Sequence, residues 1–437
     1  MEVIKLVQSI LPKGIEAYIV GGYVRDSILG KKSKDVDVEV FGININELEE
    51  ILSKHGKTKP VGTKFGTIKL IHEGKEFDFS LPRKDSKIGV GHKEFRIETI
   101  PSLSIYEAAE RRDYTINAMS INIWTQELID PFGGKLDLKS RILRHISGKF
   151  SDDPLRVLRG FQFSGRYNLS VTEETSDLCR KLKSEFYALS VERIWMEFEK
   201  WASKSIVPSK GLEFLVKTRW IELFPEIEEL IGCEQDPAWH PEGDVFSHTC
   251  QVLDKAAMGG LPVVLGALCH DLGKPETTEL IEGRIRTKGH ANIGMEKTRS
   301  LLKRFGCPHY LILQVENLVK EHLTHLQEVN KKTTRRLIIR LGDASVEDLV
   351  SLIGADHAGR GTGSVRLPDS AIKLYDLAQD IGNEIKPILM GRHLIELGLE
   401  PGPQFGPILK TAFEAQLDDL FTTIEEGINY LKQKKII

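Results

Sequence analysis

Apolar and polar positions follow two periods along this chain, and the change from one to the other falls near residue 150. Val3, Val7, Ile10 and Leu11 recur at helical spacing and predict a short opening helix. Tyr18 to Val20 is a brief β-rich run that stops at Gly21-Gly22, and Val24 to Leu29 predicts a short helix with Arg25 in its first turn. A second alternating run carries Asp35-Val36-Asp37-Val38. Side chains alternate across a strand, so Asp35 and Asp37 are expected on one face and Val36 and Val38 on the other. A helix is expected over 47–54, strands over 67–71 and 76–81, and a hairpin from 119–123 and 127–129. Between them, 83–96 is polar, glycine-bearing and rich in lysine and arginine, the composition of a mobile loop.

From about Phe150 the helical period persists. Asp152-Asp153-Pro154 opens a helix with acids ahead of its first turn, and Ser190 to Lys200 is amphipathic. Val263 to Cys269 is an apolar helix, Lys331 to Arg336 is a basic helix start, and the chain is helical again after Ala371. The expectation is an α+β protein: a small mixed-sheet head over 1–148, an all-α neck over 149–203, a helical body over 204–375 and a helical tail over 376–437.

Composition narrows the class. At 437 residues the chain is too long for one core. Its net charge of −3 gives no global attraction for nucleic acid, so an RNA partner requires local basic clusters. The five cysteines are scattered and odd in number, which points to free thiols in a reducing compartment. The apolar run near 258–269 is too short to span a bilayer, and the first residues carry no signal-peptide pattern. A cytoplasmic protein with no membrane partner is expected.

The chemistry gathers first around residues 21–37. Paired glycines let backbone N–H groups approach a phosphate. Two carboxylates about 7 Å apart along one strand face can hold hard divalent cations. Asp78, on a neighbouring strand, can complete that face, or simply face solvent. Gly-Gly, Arg25 and Asp-x-Asp in this order within seventeen residues resemble the nucleotidyltransferase superfamily of the poly(A) polymerases and CCA-adding enzymes. The wording Gly-Gly-Tyr-Val-Arg-Asp-Ser-Ile-Leu-Gly is similar to its bacterial tRNA nucleotidyltransferases. The resemblance implies catalytic Asp35, Asp37 and Asp78, with Mg²⁺ held by Asp35 and Asp37, and phosphate contacts from Gly22 and Arg25. Arg111-Arg112-Asp113-Tyr114-Thr115-Ile116-Asn117 resembles a second motif of the family. It implies that the arginines bind triphosphate, that Asp113 meets the ribose, and that Asn117 belongs to the nucleotide site.

Asp153, Arg156 and Arg159 lie three apart and line one helix face. Surface ion pairs would satisfy that pattern, yet the residue types offer more. A carboxylate accepts from the amino group of cytosine or adenine, and a guanidinium donates to the adjacent ring nitrogen. Uracil and guanine present the opposite polarity and are refused, with each such pair worth about 1–3 kcal/mol of discrimination. The family resemblance at Asp-Asp-x-x-Arg assigns Asp153 and Arg156 the same base-reading role, and Arg159 is expected on phosphate or ribose. The family usually has Glu where this chain has Asp152.

A second constellation follows. His248, His270-Asp271 and Asp356 offer two imidazoles and two carboxylates, a donor set for a borderline or hard divalent ion with open positions. The pattern resembles the HD phosphohydrolases, and its surrounding words resemble the HD domain fused to some bacterial CCA-adding enzymes. That implies a metal site, for a transition metal or Mg²⁺, and phosphoester hydrolysis. His290 and His322 stand where such domains can place second-metal ligands; His325 and His357 are expected at the surface. Lys274 is open between a phosphate contact and solvent, and the basic run 331–336 between solvent and an RNA backbone. The expected function is template-independent addition of C, C and A to the tRNA 3′ end from CTP and ATP. A partial (CC-only or A-only) enzyme, a poly(A) polymerase, and an HD phosphohydrolase with an RNA-binding head remain as alternatives. Oligomeric state is not legible.

Overall fold

The computed structural model describes residues 2–33, 35–60, 66–87, 95–361, 366–382 and 385–437. Packing divides the chain into two compact units, Met1–Leu223 and Phe224–Ile437.

The first unit begins with α1 (Glu2–Ile10), β1 (Ala17–Val20), α2 (Gly22–Ile28), β2 (Val36–Val40) and α3 (Ile45–Ser53). Strands β3 (Lys57–Pro60), β4 (Thr67–His72) and β5 (Lys75–Ser80) follow. The expected loop over 83–96 is instead partly a ribbon. Here β6 (Arg83–Lys87) pairs antiparallel with β7 (Phe95–Thr99), Arg83 opposite Thr99; 88–94 lie outside the described residues. A polar composition marks solvent exposure and does not distinguish a loop from a paired ribbon. Then come α4 (Ile105–Glu110), β8 (Ser120–Asn122), β9 (Leu128–Ile129) and α5 (Gly134–Lys139).

Seven of these strands form one sheet in the order β3-β4-β5-β2-β1-β8-β9. Strands β2 and β5 run parallel, with Val36 opposite Phe77, Asp37 opposite Asp78 and Val38 opposite Phe79. The apolar members all bury: Val36, Val38, Val40, Phe77 and Phe79 are at most 5% exposed. A one-residue slip would send every one of them to the opposite face, so burial fixes the register and puts Asp37 beside Asp78.

Helices α6 (Leu155–Tyr167), α7 (Glu173–Lys181), α8 (Val191–Lys204) and α9 (Ser209–Lys217) complete this unit. Helix α6 packs against both α8 and α9. The packing division therefore falls at Leu223, beyond the expected end of the neck at 203.

The second unit is almost wholly helical, as the sequence predicts. It runs through α10 (Pro225–Glu228), α11 (Val245–Ala256), α12 (Leu261–Cys269), α13 (Lys274–Thr277), α14 (His290–Phe305) and α15 (His309–Glu321). It continues with α16 (Lys331–Leu341), α17 (Val346–Ala358), α18 (Asp369–Ile381), α19 (Gly391–Glu396), α20 (Phe405–Leu417) and α21 (Ile424–Gln433). Helix α12 is buried from Val263 to Cys269 and packs on α11, α15 and α17. Leu389, Leu394, Ile408, Phe421 and Leu431 form a separate small core in the tail. The basic start of α16 is neutralised within this unit: Lys332 and Arg336 pair with Asp418, and Arg335 with Asp419. These ion pairs account for the run without an RNA backbone.

Gly160 sits where α6 crosses the head and α9. A Cβ there would lie 2.1 Å from the Tyr114 hydroxyl and 2.7 Å from Phe214 Cζ. The hydroxyl is fixed by donating to the Arg156 carbonyl at 2.9 Å, so it cannot step aside freely. Gly160→Ala is expected to destabilise the chain by about 3 kcal/mol, the upper end for overpacking, as measured by denaturant unfolding.

Candidate active sites

The strand register assembles the first site. Asp37 and Asp78 are in-register neighbours on the face opposite the valines, and Asp35 lies exposed just before β2. Burial raises the Asp37 pKa; Arg112 opposes that rise, while Asp78, Asp35 and Glu39 add to it. A cluster of acids that resist sharing their charge fits a hard divalent cation, and Asp78 Oδ1 is buried without a hydrogen-bond partner. The carboxylates of Asp35, Asp37 and Asp78 do not, however, all lie within 4.8 Å of one another, and Lys69 Nζ stands 3.6 Å from Asp78.

Gly21 closes the other side of Asp37. Its φ of +69° favours glycine, and a Cβ there would lie 3.0 Å from Arg112 Nη1 and 3.7 Å from Asp37 Oδ2. Arg111 and Arg112 both reach Glu39, an acid that the motif search passed over: Arg111 Nη2 donates to Oε1 at 2.9 Å and Arg112 Nη2 to Oε2 at 3.4 Å. Burial pushes the Glu39 carboxyl up, and the two guanidinium groups outweigh it and hold its pKa below the ordinary value. Its signal in the sequence was the alternation itself, which puts residue 39 on the face of Asp37.

Arg25 departs from the expectation of a phosphate contact. It is 4% exposed, its Nε donates to Asp26 at 3.0 Å and its Nη1 to Asn117 Oδ1 at 2.5 Å, and it stacks 4.4 Å from the Tyr167 ring. A guanidinium enclosed by these partners braces the head against α6 and has no open side for a triphosphate. Asn117 passes the brace on, donating to Asp113 Oδ1 at 2.9 Å. Arg159 is likewise committed, with its Nε 2.6 Å from Asp113 Oδ2 and its guanidinium over Phe163. It therefore orients the acid that the motif assigns to the ribose. Burial pushes the Asp113 pKa up, but Arg159 and Asn117 pull it below the ordinary value.

Asp153 stands two residues before α6 and Arg156 in its first turn, where the Arg156 N–H donates to the Asp153 carbonyl. Arg156 hangs from two main-chain oxygens, Lys149 at 2.8 Å and Arg111 at 2.7 Å, which leaves other guanidinium N–H groups to meet a base. Asp153 Oδ2 is held by Arg193 of α8 at 2.6 Å. The amphipathic pattern over Ser190 to Lys200 predicts this helix and does not single out Arg193.

The second site lies in the second unit and gathers more tightly. His270, His290 and His322 each point Nδ1 at a backbone carbonyl, those of Ala267, Thr287 and Val319, at 2.9, 2.7 and 2.6 Å. A carbonyl only accepts, so each Nδ1 carries the proton and each Nε2 presents a lone pair. Asp271 lies among them, 3.1 Å from His270 Nε2 and 3.5 Å from His290 Nε2. His248 Nε2 is 3.1 Å from Asp356 and 3.7 Å from Asp271. His270 Nε2 and Asp271 Oδ2 are buried with no hydrogen-bond partner. Lone pairs facing one another without protons between them fit a metal centre, and His290 and His322 join it at one end. Burial drives the His322 pKa down to about 3. Burial also lowers that of His248, but Asp356, Glu242 and Asp271 lift it to about 9.

Glu242 was overlooked in the sequence. It stands 2.7 Å from His248 Nδ1 in a geometry too bent for a hydrogen bond, and 2.8 Å from His240. Lys274 is buried against Asp271 at 2.6 Å and Gln235 at 2.7 Å, which decides against a solvated lysine. Arg360 pairs with Asp356 at 3.0 Å. His325, expected at the surface, is 5% exposed, with Nδ1 on the His322 carbonyl.

The comparisons with known proteins match both regions of the chain. Residues 17–144 match the poly A polymerase head domain, and residues 245–348 match the HD domain. A multifunctional CCA protein of Methylococcus capsulatus is 34% identical over 411 residues, covering 91% of this chain and 93% of that protein. The chain belongs to the multifunctional CCA protein family. It is a nucleotidyltransferase. A Pseudomonas fluorescens member is 32% identical over 412 residues, covering 90% of this chain and 95% of its own. Among solved structures, the Bacillus stearothermophilus CCA-adding enzyme in complex with CTP superposes with a TM-score of 0.69 at 22% identity, covering 99% of this chain and 98% of that one. The Thermotoga maritima CCA-adding enzyme complexed with tRNA gives 0.59 at 20% identity, covering 99% and 95%. These two likenesses speak to the fold, which is the mixed head and helical remainder expected. Among the described residues no helix is long and apolar enough to cross a membrane.

The Asp113–Arg159 pair supplies a pH test. A carboxylate held below its unfolded pKa adds stability above about pH 4, and that stability is lost as pH falls through the folded value. Asp113→Asn is expected to destabilise the chain by about 2 kcal/mol at pH 7, less than a fully enclosed pair because Arg159 keeps partial solvent contact. The gap from wild type should close toward pH 3, read by denaturant unfolding across that range.

Proposed function

We propose that this chain is a template-independent tRNA nucleotidyltransferase that adds C, C and A to tRNA 3′ ends from CTP and ATP. The observation that carries the reading is Asp37 flanked by Asp78 on one side and by the Gly21 turn with Arg112 on the other. The names of its relatives and the CTP, ATP and tRNA complexes of its structural neighbours support the same reading.

Asp35, Asp37 and Asp78 would hold Mg²⁺, which when bound neutralises triphosphate charge and lowers the pKa of a coordinated hydroxyl. Around it, the Gly21-Gly22 backbone and the Arg111–Arg112 pair receive the triphosphate. Asp113, oriented by Asn117 and Arg159, accepts from the sugar. Asp153 accepts the amino group of cytosine or adenine, and Arg156 donates to the neighbouring ring nitrogen. Because Arg156 is tied to the Arg111 carbonyl, base reading and triphosphate placement share one frame.

The HD site is proposed as a second, metal-dependent phosphohydrolase centre. His248, His270, Asp271 and Asp356 would hold one divalent metal, and His290 and His322 with Asp271 a second. Metal bound there would supply a nucleophile from water near neutral pH, while Lys274 offers the cation nearest to Asp271. The free thiols support a reducing, cytoplasmic setting.

The test gives purified protein a tRNA ending at its discriminator base, with CTP and ATP together and apart, and counts the nucleotides added. Three additions are expected; one, two or a long tail would select the A-only, CC-only or poly(A) alternatives. Asp37→Ala should lower addition by about 10³-fold or more and leave hydrolysis of a generic phosphoester unchanged, whereas Asp271→Ala should do the reverse. Loss of both activities in either variant would sink the assignment of two separate sites. Asp153→Asn should weaken the preference for CTP over UTP by about 1–3 kcal/mol, read as the ratio of kcat/KM values.

A further inference from the structure

Glu39 is the one acid of the catalytic strand face that family motifs do not account for. It follows Asp37 by two residues, points to the same face, and its side chain is 1% exposed. A carboxylate buried so completely, close to where a polyanion is read to bind, would repel that substrate if it acted by charge alone. Its contacts argue for another part. One oxygen takes Arg111 Nη2 at 2.9 Å and the other Arg112 Nη2 at 3.4 Å, so a single carboxylate anchors both guanidinium groups. Arg112 is thereby stretched from Glu39 to the glycine turn, where its Nη1 lies 3.4 Å from the Asn117 carbonyl and would crowd any Cβ on Gly21. Arginine side chains are long and rotamer-rich, and fixing them before the ligand arrives removes an ordering cost from binding. Two arginines against one acid leave a net positive charge facing Asp37 and the turn.

We propose that Glu39 is a positioning residue for the nucleotide triphosphate, acting through Arg111 and Arg112 by holding both in the orientation that receives the phosphates. The proposal rests on the nucleotidyl-transfer reading above. It opposes the alternative in which Glu39 merely tempers the positive charge of the site, and the two predict opposite signs. Without the anchor, nucleotide binding weakens; without a mere negative charge, it tightens.

The experiment compares full-length wild type, Glu39→Gln and Glu39→Asp on a tRNA ending at its discriminator base. It measures KM for CTP, for ATP on the CC-ended tRNA, and for the tRNA itself. Glu39→Gln is expected to raise both nucleotide KM values about tenfold while the tRNA KM stays put, and Glu39→Asp should recover part of the loss. A nucleotide KM that is unchanged or lower in Glu39→Gln overturns the proposal while leaving the transfer reading intact. A wild-type chain that adds no nucleotide overturns the transfer reading and the proposal with it. Should Glu39→Gln not fold, Glu39→Asp decides: a raised nucleotide KM at unchanged tRNA KM supports the anchor, and wild-type values overturn it.

Discussion

The head depends on the parallel pairing of β2 with β5. Its two strands bury valines and phenylalanines on one face and thereby have no choice about what they place on the other. Asp37 and Asp78 are neighbours because Val38 and Phe79 are core partners. A half-buried acid whose pKa is raised, as Asp37 is, is unfavourable by itself, and the apolar face is what imposes it. The energy that gathers the site comes from side chains that never touch it, which is how a small sheet can hold charge ready for a cation.

The neck extends that logic by hydrogen bonds. Helix α6 is joined to the head along its length: Arg156 to the Arg111 carbonyl near its start, Arg159 to Asp113 in the middle, and Tyr167 to Asp26 at its end. Arg25 closes the series by stacking on Tyr167 while bonded to Asn117. All five arginines expected to serve the nucleotide are thus bound to protein partners first. Arg156 and Arg159 keep donors to spare, whereas Arg25 is enclosed. A base-reading edge must be held to within a fraction of an ångström, and that rigidity comes from such commitments.

The sequence was read well where one physical rule governed. A β-rich run located β1 and alternation β2, β4 and β5, while helical spacing located α1, an acid-and-proline start α6 and a continuous apolar run α12. It was read less well where partners come from afar. Nothing local says that Glu39 will meet residues seventy positions later, or that Glu242 will stand against His248. The ribbon of β6 and β7 was missed because its polar composition reports exposure and is silent about pairing. His325 was placed at the surface because a histidine two residues from any motif carries no periodic signature, yet the turn at 324–326 folds it under His322. The basic run 331–336 shows the reverse error to guard against: a charge cluster is an invitation to polyanions only until the acids at 418 and 419 are folded beside it.

The two metal-suited centres differ in how they are made, and the difference follows from their donors. In the HD site the imidazoles of His270, His290 and His322 are each locked by the backbone carbonyl three residues earlier, which chooses the tautomer and turns Nε2 inward. A site built this way is converged before any metal arrives, and its lone pairs already stand within ligand reach of one another. The head site is built from carboxylates on and beside two central strands, which repel and have no such lock, and its three acids stay apart. Soft pre-assembly suits a resident metal with nitrogen ligands. An open acidic face suits Mg²⁺, which keeps several waters and is completed by the phosphates of its substrate. On that argument the head is expected to take its cation together with the nucleotide, and the HD centre to hold its own.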